Sequence, residues 1–358
     1  MLSRITIDSI YLLCLFFCFA WIFSFSVPKK QNVGLFLESF FEQPKQCEFC
    51  KFHVRNQDAD STNKDWVITS GIKRTNNMIP FIRSLRTTGS QAQCHFLFDT
   101  SAYVKITRYT SKLITSCGGH IFEMRNSFNM PPKYLRFLFC YQHIKKHSEL
   151  MDRVIICDLY DTIFQGDPFV QQFGRKKLYI FDEGDNFYTN EGRENLIWMT
   201  YFKFYMKNPP KTRFYLCSGF IAGYKTILMK ALFLFLNYSQ SHMMSDFGLF
   251  HDQAVFNILY FSNAFLNNEI EVVWQPNILK VRHRIGKYKH ENQTLGLVPL
   301  INTNNVYAHV VHHYYSSPPF RDSLQDACPN THYLPNYYHS SVKPKIKPGP
   351  FSFLRRLF

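Results

Sequence analysis

Two carboxylates three positions apart are the residues of this sequence best placed to do chemistry. Asp158 and Asp161 follow the apolar run VIIC at residues 154–157, so a buried strand would deliver both at its carboxyl end. Hard divalent cations take such oxygen ligands and bind substrate phosphates, which predicts a Mn²⁺ or Mg²⁺ site. The alternative is that Asp158 caps a turn and Asp161 starts a helix. Because paired carboxylates repel without a cation, we expect folding to survive removal of either one.

A phosphatase centre is a second interpretation of Asp158. Haloacid-dehalogenase-type enzymes end a strand in an aspartate nucleophile and place an acid two residues later. That position here holds Tyr160, so the mechanism would lack its general acid. We therefore disfavour phosphatase chemistry.

The elements that would position these carboxylates alternate between strand and helix. Strands are predicted at 67–69, 94–99, 120–124 and 153–158, with helices between them at 76–88, 103–117 and 131–147. This alternation is typical of a parallel α/β sheet with helices on both faces. After residue 158 it loosens, and one further strand at 178–181 and one helix at 226–237 are predicted.

Ligands of such sheets bind beyond the carboxyl ends of the strands, which makes the residues there candidates for binding. Asp99 ends the second strand and is a candidate nucleotide contact, and Lys73 and Arg74 follow the first strand, where a basic pair suits a diphosphate. Solvated loops are the alternative for both. The acidic segment at 181–186 is predicted to be a solvated loop, with contact to an acceptor hydroxyl as the alternative.

The N-terminus carries a segment long enough to cross a membrane. Ser9 to Pro28 contains no charged residue, and about 20 apolar residues span the roughly 30 Å hydrocarbon layer. We predict a signal anchor, with a signal peptide cleaved near Ser24-Phe25-Ser26 as the rival. Either places the rest of the chain in the lumen of the endoplasmic reticulum or Golgi, where Asn237 and Asn292 stand in glycosylation sequons.

Cysteine usage and charge agree with a lumenal protein. Eight of the ten cysteines lie outside the apolar segment, and an even lumenal set permits disulfides. Cys47 and Cys50 form one C-x-x-C, which predicts a local disulfide or pairing elsewhere rather than a zinc site. The net charge of +15 favours anionic partners, and the lumen excludes nucleic acid among them.

Three segments of the chain carry a resemblance to a known family. They are DLYDTIFQGDPF at 158–169, CSGFIAG at 217–223 and HDQAVFN at 251–257. The chain resembles the lumenal GT-A glycosyltransferases, which use nucleotide-diphospho-sugars. The first segment is similar to the D-x-Y-D-x-x-F of the collagen-modifying glycosyltransferase domains and to the F-Q-x-D-P-F of uncharacterised members. The second is similar to the N-S-G-x-x-x-G segment, and the third to the D-Q-x-x-x-N of glycogenin-like retaining enzymes. The resemblance covers residues 66–316.

The resemblance implies a fold, a reaction and a set of site residues. The fold would be GT-A, a Rossmann-like α/β fold with a mostly parallel sheet and flanking helices behind one transmembrane helix. The reaction would be hexosyltransferase-like transfer from a UDP-sugar to a glycan or glycoprotein with Mn²⁺ or Mg²⁺, and Asp252-Gln253 favours retention of configuration. The implied metal ligands are Asp158, Asp161 and His312, the implied sugar-binding residues are Ser218 and Gly219, and the implied catalytic residues are Asp252 and Gln253.

Some residues compete for these roles or depart from the family pattern. His309 and His313 are rivals of His312, and a strand with alternating faces would send only one of His312 and His313 inward. Cys217 stands where most relatives have Asn, and no H-x-x-G-x-x-K-P-W segment appears. The alternative function is therefore a catalytically inactive lumenal binding or scaffold protein on the same fold.

The predicted domain organisation follows from these segments. It consists of a cytosolic tail at 1–8, the transmembrane anchor at 9–28, a stem at 29–65, the GT-A domain at 66–320 and a basic, proline-containing extension at 321–358.

Overall fold

The computed structural model describes residues 47–52, 59–125, 130–169, 173–186, 188, 190–207, 214–242, 250–274, 281–283, 308–314 and 324–328. The predicted anchor at 9–28, the sequon residue Asn292 and most of the predicted C-terminal extension lie outside these residues. In the part of the chain that the structure describes, no helix has the length and apolarity needed to cross a membrane.

Strands and helices alternate through most of the described chain. The strands are β1 (Trp66–Gly71), β2 (Gln93–Asp99), β3 (Gly119–Met124), β4 (Arg153–Cys157), β5 (Thr162–Phe164), β6 (Lys177–Asn186), β7 (Phe214–Tyr224), β8 (Glu271–Val273), β9 (Val281–His283) and β10 (Val310–His312). The helices are α1 (Met78–Thr87), α2 (Thr100–Tyr103), α3 (Arg108–Ser116), α4 (Pro132–Lys146), α5 (Asn190–Tyr201), α6 (Lys225–Ser241), α7 (Asp252–Phe261) and α8 (Ala264–Asn267).

Seven strands form a mostly parallel central sheet in the order β3-β2-β1-β4-β7-β6-β8. β7 runs antiparallel to both β4 and β6, and every other neighbouring pair in this sheet is parallel. The prediction of a mixed α/β fold with a mostly parallel sheet and flanking helices is confirmed. β4 is buried from Val154 to Cys157, as its apolar sequence requires.

A second sheet of three short strands, in the order β5-β10-β9, adjoins the end of β4. β10 is antiparallel to β5 and parallel to β9. An aromatic cluster fixes β5 in place, because Phe81 of α1 makes edge-on contacts with both Phe164 of β5 and Phe96 of β2, with ring centroids 5.1 and 5.7 Å apart. Such pairs contribute about 1 kcal/mol each beyond their burial.

Two local predictions differ from the structure. The predicted helix at 103–117 starts only at Arg108, as α3, and the separate short helix α2 precedes it, because Asp99 and Thr107 each cap a helix start through their side chains. The acidic segment predicted as a solvated loop is part of β6 instead, where Asp182 and Glu183 are buried.

One disulfide joins the N-terminal end of the described chain to the residue after α3, and another joins it to the C-terminal end. Cys47 pairs with Cys117 and Cys50 pairs with Cys328, so the C-x-x-C does not close on itself. The segment that carries Cys47 and Cys50 falls within the predicted stem. It also contacts α1, because the Cys50 N–H donates to Thr87 Oγ1 at 2.9 Å.

Four histidines gather around Trp66 between the sheet and α4. His95 of β2 stacks on Trp66 with centroids 3.9 Å apart, and its Nδ1 lies 2.8 Å from Nε2 of His143. Burial lowers the pKa of His95 and His143 well below the ordinary value and the pKa of His120 and His147 to about 4, and nearby positive charges act in the same direction. The folded protein therefore keeps this cluster neutral.

We expect this cluster to make the protein acid-labile below about pH 6.5. Above that pH the histidines are neutral in both states and add no pH dependence. Below it the unfolded chain takes up protons that the folded cluster refuses, so the free energy of unfolding falls by about 1.4 kcal/mol per pH unit for each buried histidine. Urea unfolding between pH 7.5 and 5 measures this slope.

A variant separates the cluster from other acid effects. His95→Phe should flatten the slope, whereas replacement of the exposed His242 with Ala should leave it unchanged. Equal slopes for the wild type and the His95→Phe variant would contradict the prediction.

Candidate metal-binding site

Asp158 and Asp161 lie in the turn that follows β4. The Asp158 N–H donates to the carbonyl of Gly219 at 2.9 Å, so the turn begins hydrogen-bonded to β7. Asp161 immediately precedes β5, and its side chain is buried. The two carboxylates are therefore held between the central sheet and the second sheet.

Strand register brings His312 to both carboxylates. β10 pairs with β5 so that His312 lies opposite Thr162, the residue after Asp161. His312 Nε2 is 3.3 Å from Asp158 Oδ2 and 3.3 Å from Asp161 Oδ1, and the imidazole is fully buried. The structure thus brings together all three residues that the resemblance implied as metal ligands.

His313 also faces Asp161, which strand alternation did not predict. Its Nε2 is 3.7 Å from Asp161 Oδ2. β10 ends at His312, and His313 has a φ of 60°, so the chain leaves the strand conformation at this residue. The expectation that only one of the two histidines points inward is therefore wrong.

Without a bound metal ion, His312 and Asp161 form an ion pair. Burial on its own would lower the pKa of His312, but the Asp161 carboxylate and the hydrogen bonds to both carboxylates raise this pKa well above its ordinary value. Burial would raise the pKa of Asp161, but His312 and His313 lower it below its ordinary range. His312 is therefore a cation and Asp161 an anion at neutral pH.

The donor set fits a divalent cation. The ligand atoms of Asp161, His312 and His313 all lie within 4.8 Å of one another. Ligands about 2.1 Å from a common metal lie roughly 3.0–4.2 Å apart, and the Asp161 oxygens lie 3.3 Å from His312 Nε2 and 3.7 Å from His313 Nε2. Asp158 Oδ2 adds a further oxygen 3.3 Å from the same His312 nitrogen. The residues present therefore form a candidate metal site.

β7 passes so close to His312 that residue 219 has to be glycine. A Cβ there would lie 2.2 Å from His312 Cε1 and 3.0 Å from Asp158 Oδ2. Cys217 also contacts the imidazole, with Sγ 3.7 Å from His312 Nδ1. Burial and the Glu183 carboxylate raise the pKa of Cys217 to about 12, so it is a neutral thiol.

Arg136 of α4, which sequence analysis did not single out, links the candidate metal site to Asp252. Its guanidinium contacts Asp158 Oδ1 and the Ser218 carbonyl, and its Nε is 3.2 Å from Asp252 Oδ2. A signal was present, because Arg136 lies between the buried Leu135 and Phe137, and an arginine among buried residues needs anionic partners.

Asp252 and Gln253, the residues predicted to be catalytic, are adjacent but face different partners. Asp252 is the first residue of α7, and its buried carboxylate meets Arg136. Gln253 Nε2 donates to Asn195 Oδ1 at 2.9 Å and so ties α7 to α5. Asp252 therefore lies next to the candidate metal site, through Arg136, and Gln253 holds α7 against α5.

Three further side chains meet beside Asp252. The rings of Trp198 and His251 stack with centroids 4.1 Å apart and an interplanar angle of 4°. Lys133 Nζ lies 2.8 Å from His251 Nδ1 and 5.8 Å from the Trp198 ring centroid. Burial and Lys133 lower the pKa of His251 to about 4, so the imidazole is neutral. Short motifs do not reveal this group, because Lys133 lies on α4, Trp198 on α5 and His251 directly before α7.

Asp99 and Lys73 contact each other. Asp99 Oδ1 accepts from the Lys73 N–H at 2.8 Å and from the Ala102 N–H at 3.1 Å, so the carboxylate shapes the loop and caps α2. The Lys73 side chain is exposed. The loop reaches the candidate site through Tyr160, whose hydroxyl donates to the Arg74 carbonyl at 3.1 Å. Nucleotide contact by Asp99 or Lys73 stays a prediction.

His309, a rival metal ligand in the sequence, lies elsewhere. Its Nδ1 donates to the Asp167 carbonyl at 2.8 Å, and its ring packs against Gly166, where a Cβ would lie 2.7 Å from His309 Cδ2. His309 therefore fixes the segment after β5. Asn237 is exposed on α6, as a glycosylation acceptor has to be.

No model of a known protein family matches the chain, and no curated protein matches it. The site consists of a cluster of carboxylates and imidazoles that could hold a metal ion, the Arg136–Asp252 pair beside it, and an aromatic and basic group next to that pair.

Proposed function

We propose that this protein is a metal-dependent GT-A glycosyltransferase that moves a sugar from a nucleotide diphosphate, with UDP as the expected nucleotide. The observation that carries the proposal is the convergence of Asp158, Asp161 and His312 at the end of β4, with the Arg136–Asp252 pair directly beside them. Carboxylates at a strand end suit a metal–diphosphate complex, and a neighbouring donor–acceptor pair suits sugar hydroxyls. The mixed sheet with its one antiparallel strand supports the same fold.

Each part of the site has a role in this proposal. Asp158, Asp161 and His312 hold the cation, which when bound offsets the negative charge of the departing diphosphate. Arg136 donates to sugar hydroxyls. Asp252 accepts hydrogen bonds from the same hydroxyls. As the resemblance implies, its carboxylate would lie beside the reacting carbon, which favours retention of configuration.

The acceptor would lie beyond Asp252, at Trp198, His251 and Lys133. Trp198 and His251 are partly exposed and Lys133 is exposed, so the group is reached from solvent. An aromatic ring offers an apolar surface to a sugar face, and the lysine ammonium donates hydrogen bonds to its oxygens. A glycan or glycoprotein acceptor fits this combination.

The compartment in the proposal is the Golgi or endoplasmic reticulum, with residues 9–28 as a single-pass type II anchor. Disulfides form and persist in the secretory lumen, and the two in this structure support that location. A lumenal domain also meets glycan acceptors and does not meet nucleic acid.

The proposal is tested by incubating the full-length protein with a panel of UDP-sugars and Mn²⁺ and measuring the release of free sugar. One donor should be hydrolysed slowly, and the reaction should stop in chelator. Metal-dependent UDP binding without turnover of any donor would support the inactive binding protein instead. The sequence feature that favours this alternative is Cys217, which stands where most relatives have Asn.

Asp252→Asn should reduce turnover about 100-fold while UDP affinity changes less than about 3-fold. The amide keeps the size of the side chain but removes the charge beside the reacting carbon. Steady-state kinetics and UDP calorimetry measure the two effects. Asp326→Asn, at an exposed carboxylate, is the matched control, and wild-type turnover by Asp252→Asn would remove this residue from the site.

A further inference from the structure

The backbone of His313 turns its imidazole onto the carboxylate that His312 already faces. Its φ of 60° lies in the left-handed region, which costs most residues about 1 kcal/mol and in which His, Asn and Asp are enriched. In a continuing strand the two neighbouring side chains would point to opposite faces. The next residue fixes this turn, because the Tyr314 N–H donates to the Asp161 carbonyl at 3.4 Å.

Asp161 presents one oxygen to each imidazole. Oδ1 is 3.3 Å from His312 Nε2, and Oδ2 is 3.7 Å from His313 Nε2. The two rings meet edge-on with centroids 4.4 Å apart. His312 is fully buried, whereas the His313 side chain is 39% exposed, so the cluster has a side that a cation can reach from solvent.

We propose that His313 is a metal ligand together with His312 and Asp161, and that it makes the site selective for transition-metal cations over Mg²⁺ and Ca²⁺. This inference rests on the proposed function, because it assigns a further ligand and a selectivity to the metal of that site. A site built from Asp158, Asp161 and His312 alone would be oxygen-rich and would accept Mg²⁺ readily.

The ligand chemistry sets the expected order of affinity. Mg²⁺ and Ca²⁺ prefer all-oxygen shells, whereas imidazole nitrogen suits later first-row metals. For a fixed set of ligands the affinity rises from Mn²⁺ to Co²⁺. Two imidazoles and one carboxylate therefore favour Co²⁺ over Mn²⁺, and both over Mg²⁺.

Calorimetric titration of the full-length protein with Mn²⁺, Co²⁺ and Mg²⁺, without nucleotide, tests the inference. The wild type should bind Co²⁺ and Mn²⁺ at least about 10-fold more tightly than Mg²⁺. His313→Asn removes the imidazole but keeps a residue that tolerates the left-handed backbone. It should weaken Co²⁺ binding about 10-fold or more and Mg²⁺ binding less than about 3-fold.

Two more variants sharpen the result. His313→Asp, which also tolerates this backbone, replaces nitrogen with oxygen and should narrow the ratio of Mn²⁺ to Mg²⁺ affinity. His242→Asn, at an exposed imidazole after α6, is the control and should titrate like the wild type. The visible absorption of bound Co²⁺ should change in the two His313 variants and not in the control.

The outcomes distinguish this inference from the proposed function. If His313→Asn binds Co²⁺ and Mn²⁺ like the wild type while Asp161→Asn loses binding, His313 is no ligand and the proposed function stands. A wild type that binds none of the three metals, alone or with UDP, overturns both. Thermal melting of each variant shows that it is folded before its titration is interpreted.

Discussion

Replacing Asp161 with asparagine will abolish metal-dependent UDP binding. Asp161 is the buried carboxylate that both His312 and His313 face, so it is the common member of the cluster. The amide cannot supply the negative charge that a divalent cation and a diphosphate require between them. We expect UDP affinity in Mn²⁺ to fall by about 100-fold or more, to the value of the wild type in chelator.

Calorimetry with UDP, with and without Mn²⁺, measures this effect. Asp152→Asn, at an exposed carboxylate just before β4, is the matched control and should bind like the wild type. Asp158→Ala should weaken binding less completely, because Asp158 is partly exposed and is shared with Arg136. If UDP binds the wild type equally well in chelator, the metal site is wrong and the pair keeps only a capping role.

Folding is expected to survive removal of either carboxylate, but the contacts in the structure indicate that stability falls. In the metal-free protein Asp161 neutralises His312, and Asp158 neutralises Arg136. Removing one partner of a buried pair costs about 3–5 kcal/mol where the other charge is left uncompensated, and the cost is smaller here because Asp158 also faces His312. Asp161→Asn should therefore also lower the stability of the metal-free protein, which chemical unfolding in chelator will show.

The second large effect is expected from Gly219→Ala. The added Cβ would lie 2.2 Å from His312 Cε1 and 2.3 Å from Nε2, and His312 is fully buried. At these distances either β7 or the imidazole has to shift, and we expect His312 to leave its position between Asp158 and Asp161 because its ring takes the clash directly. We expect metal binding to be lost and stability to fall by about 1–3 kcal/mol, the usual cost of overpacking.

A glycine on the same strand provides the control. A Cβ at Gly223 would lie 3.2 Å from the carbonyl oxygen of Lys177 and away from the imidazole, so Gly223→Ala should retain metal binding. Mn²⁺ titration and thermal melting of both variants test the comparison. Wild-type Mn²⁺ affinity in Gly219→Ala would show that the metal does not need His312 in this position.

The sequence predicts the elements whose hydrophobic pattern is visible within a few consecutive residues. β1, β2, β3 and β4 are apolar runs between helical periods, and each was predicted within two residues of its ends. Asp158 and Asp161 were predicted to converge because a strand ends immediately before them. Local pattern is sufficient for β1, β2 and β4 because they are buried in the interior of the sheet, and β3, at the edge, shows the same short apolar run with Glu123 exposed.

The rest of the site depends on pairing between distant segments. β5 and β10 have three residues each, too few to show a period, and they form because they pair with each other. That pairing is what carries His312 to Asp161. Arg136 and Asp252 meet across α4 and α7, and no spacing in the sequence connects them. The left-handed turn at His313 is likewise set by its tertiary contacts, since histidine only tolerates it.

The pairing of Cys50 with Cys328 imposes an order on assembly during synthesis. Cys47 can join Cys117 once the chain up to the end of α3 has emerged, but Cys50 has to wait until Cys328 is made. At about 5–20 residues per second, the roughly 200 intervening residues take about 10–40 s to translate. Throughout that interval a reactive thiol lies three residues from a completed disulfide, so correct maturation of this chain should depend on a thiol isomerase that prevents or reverses their exchange.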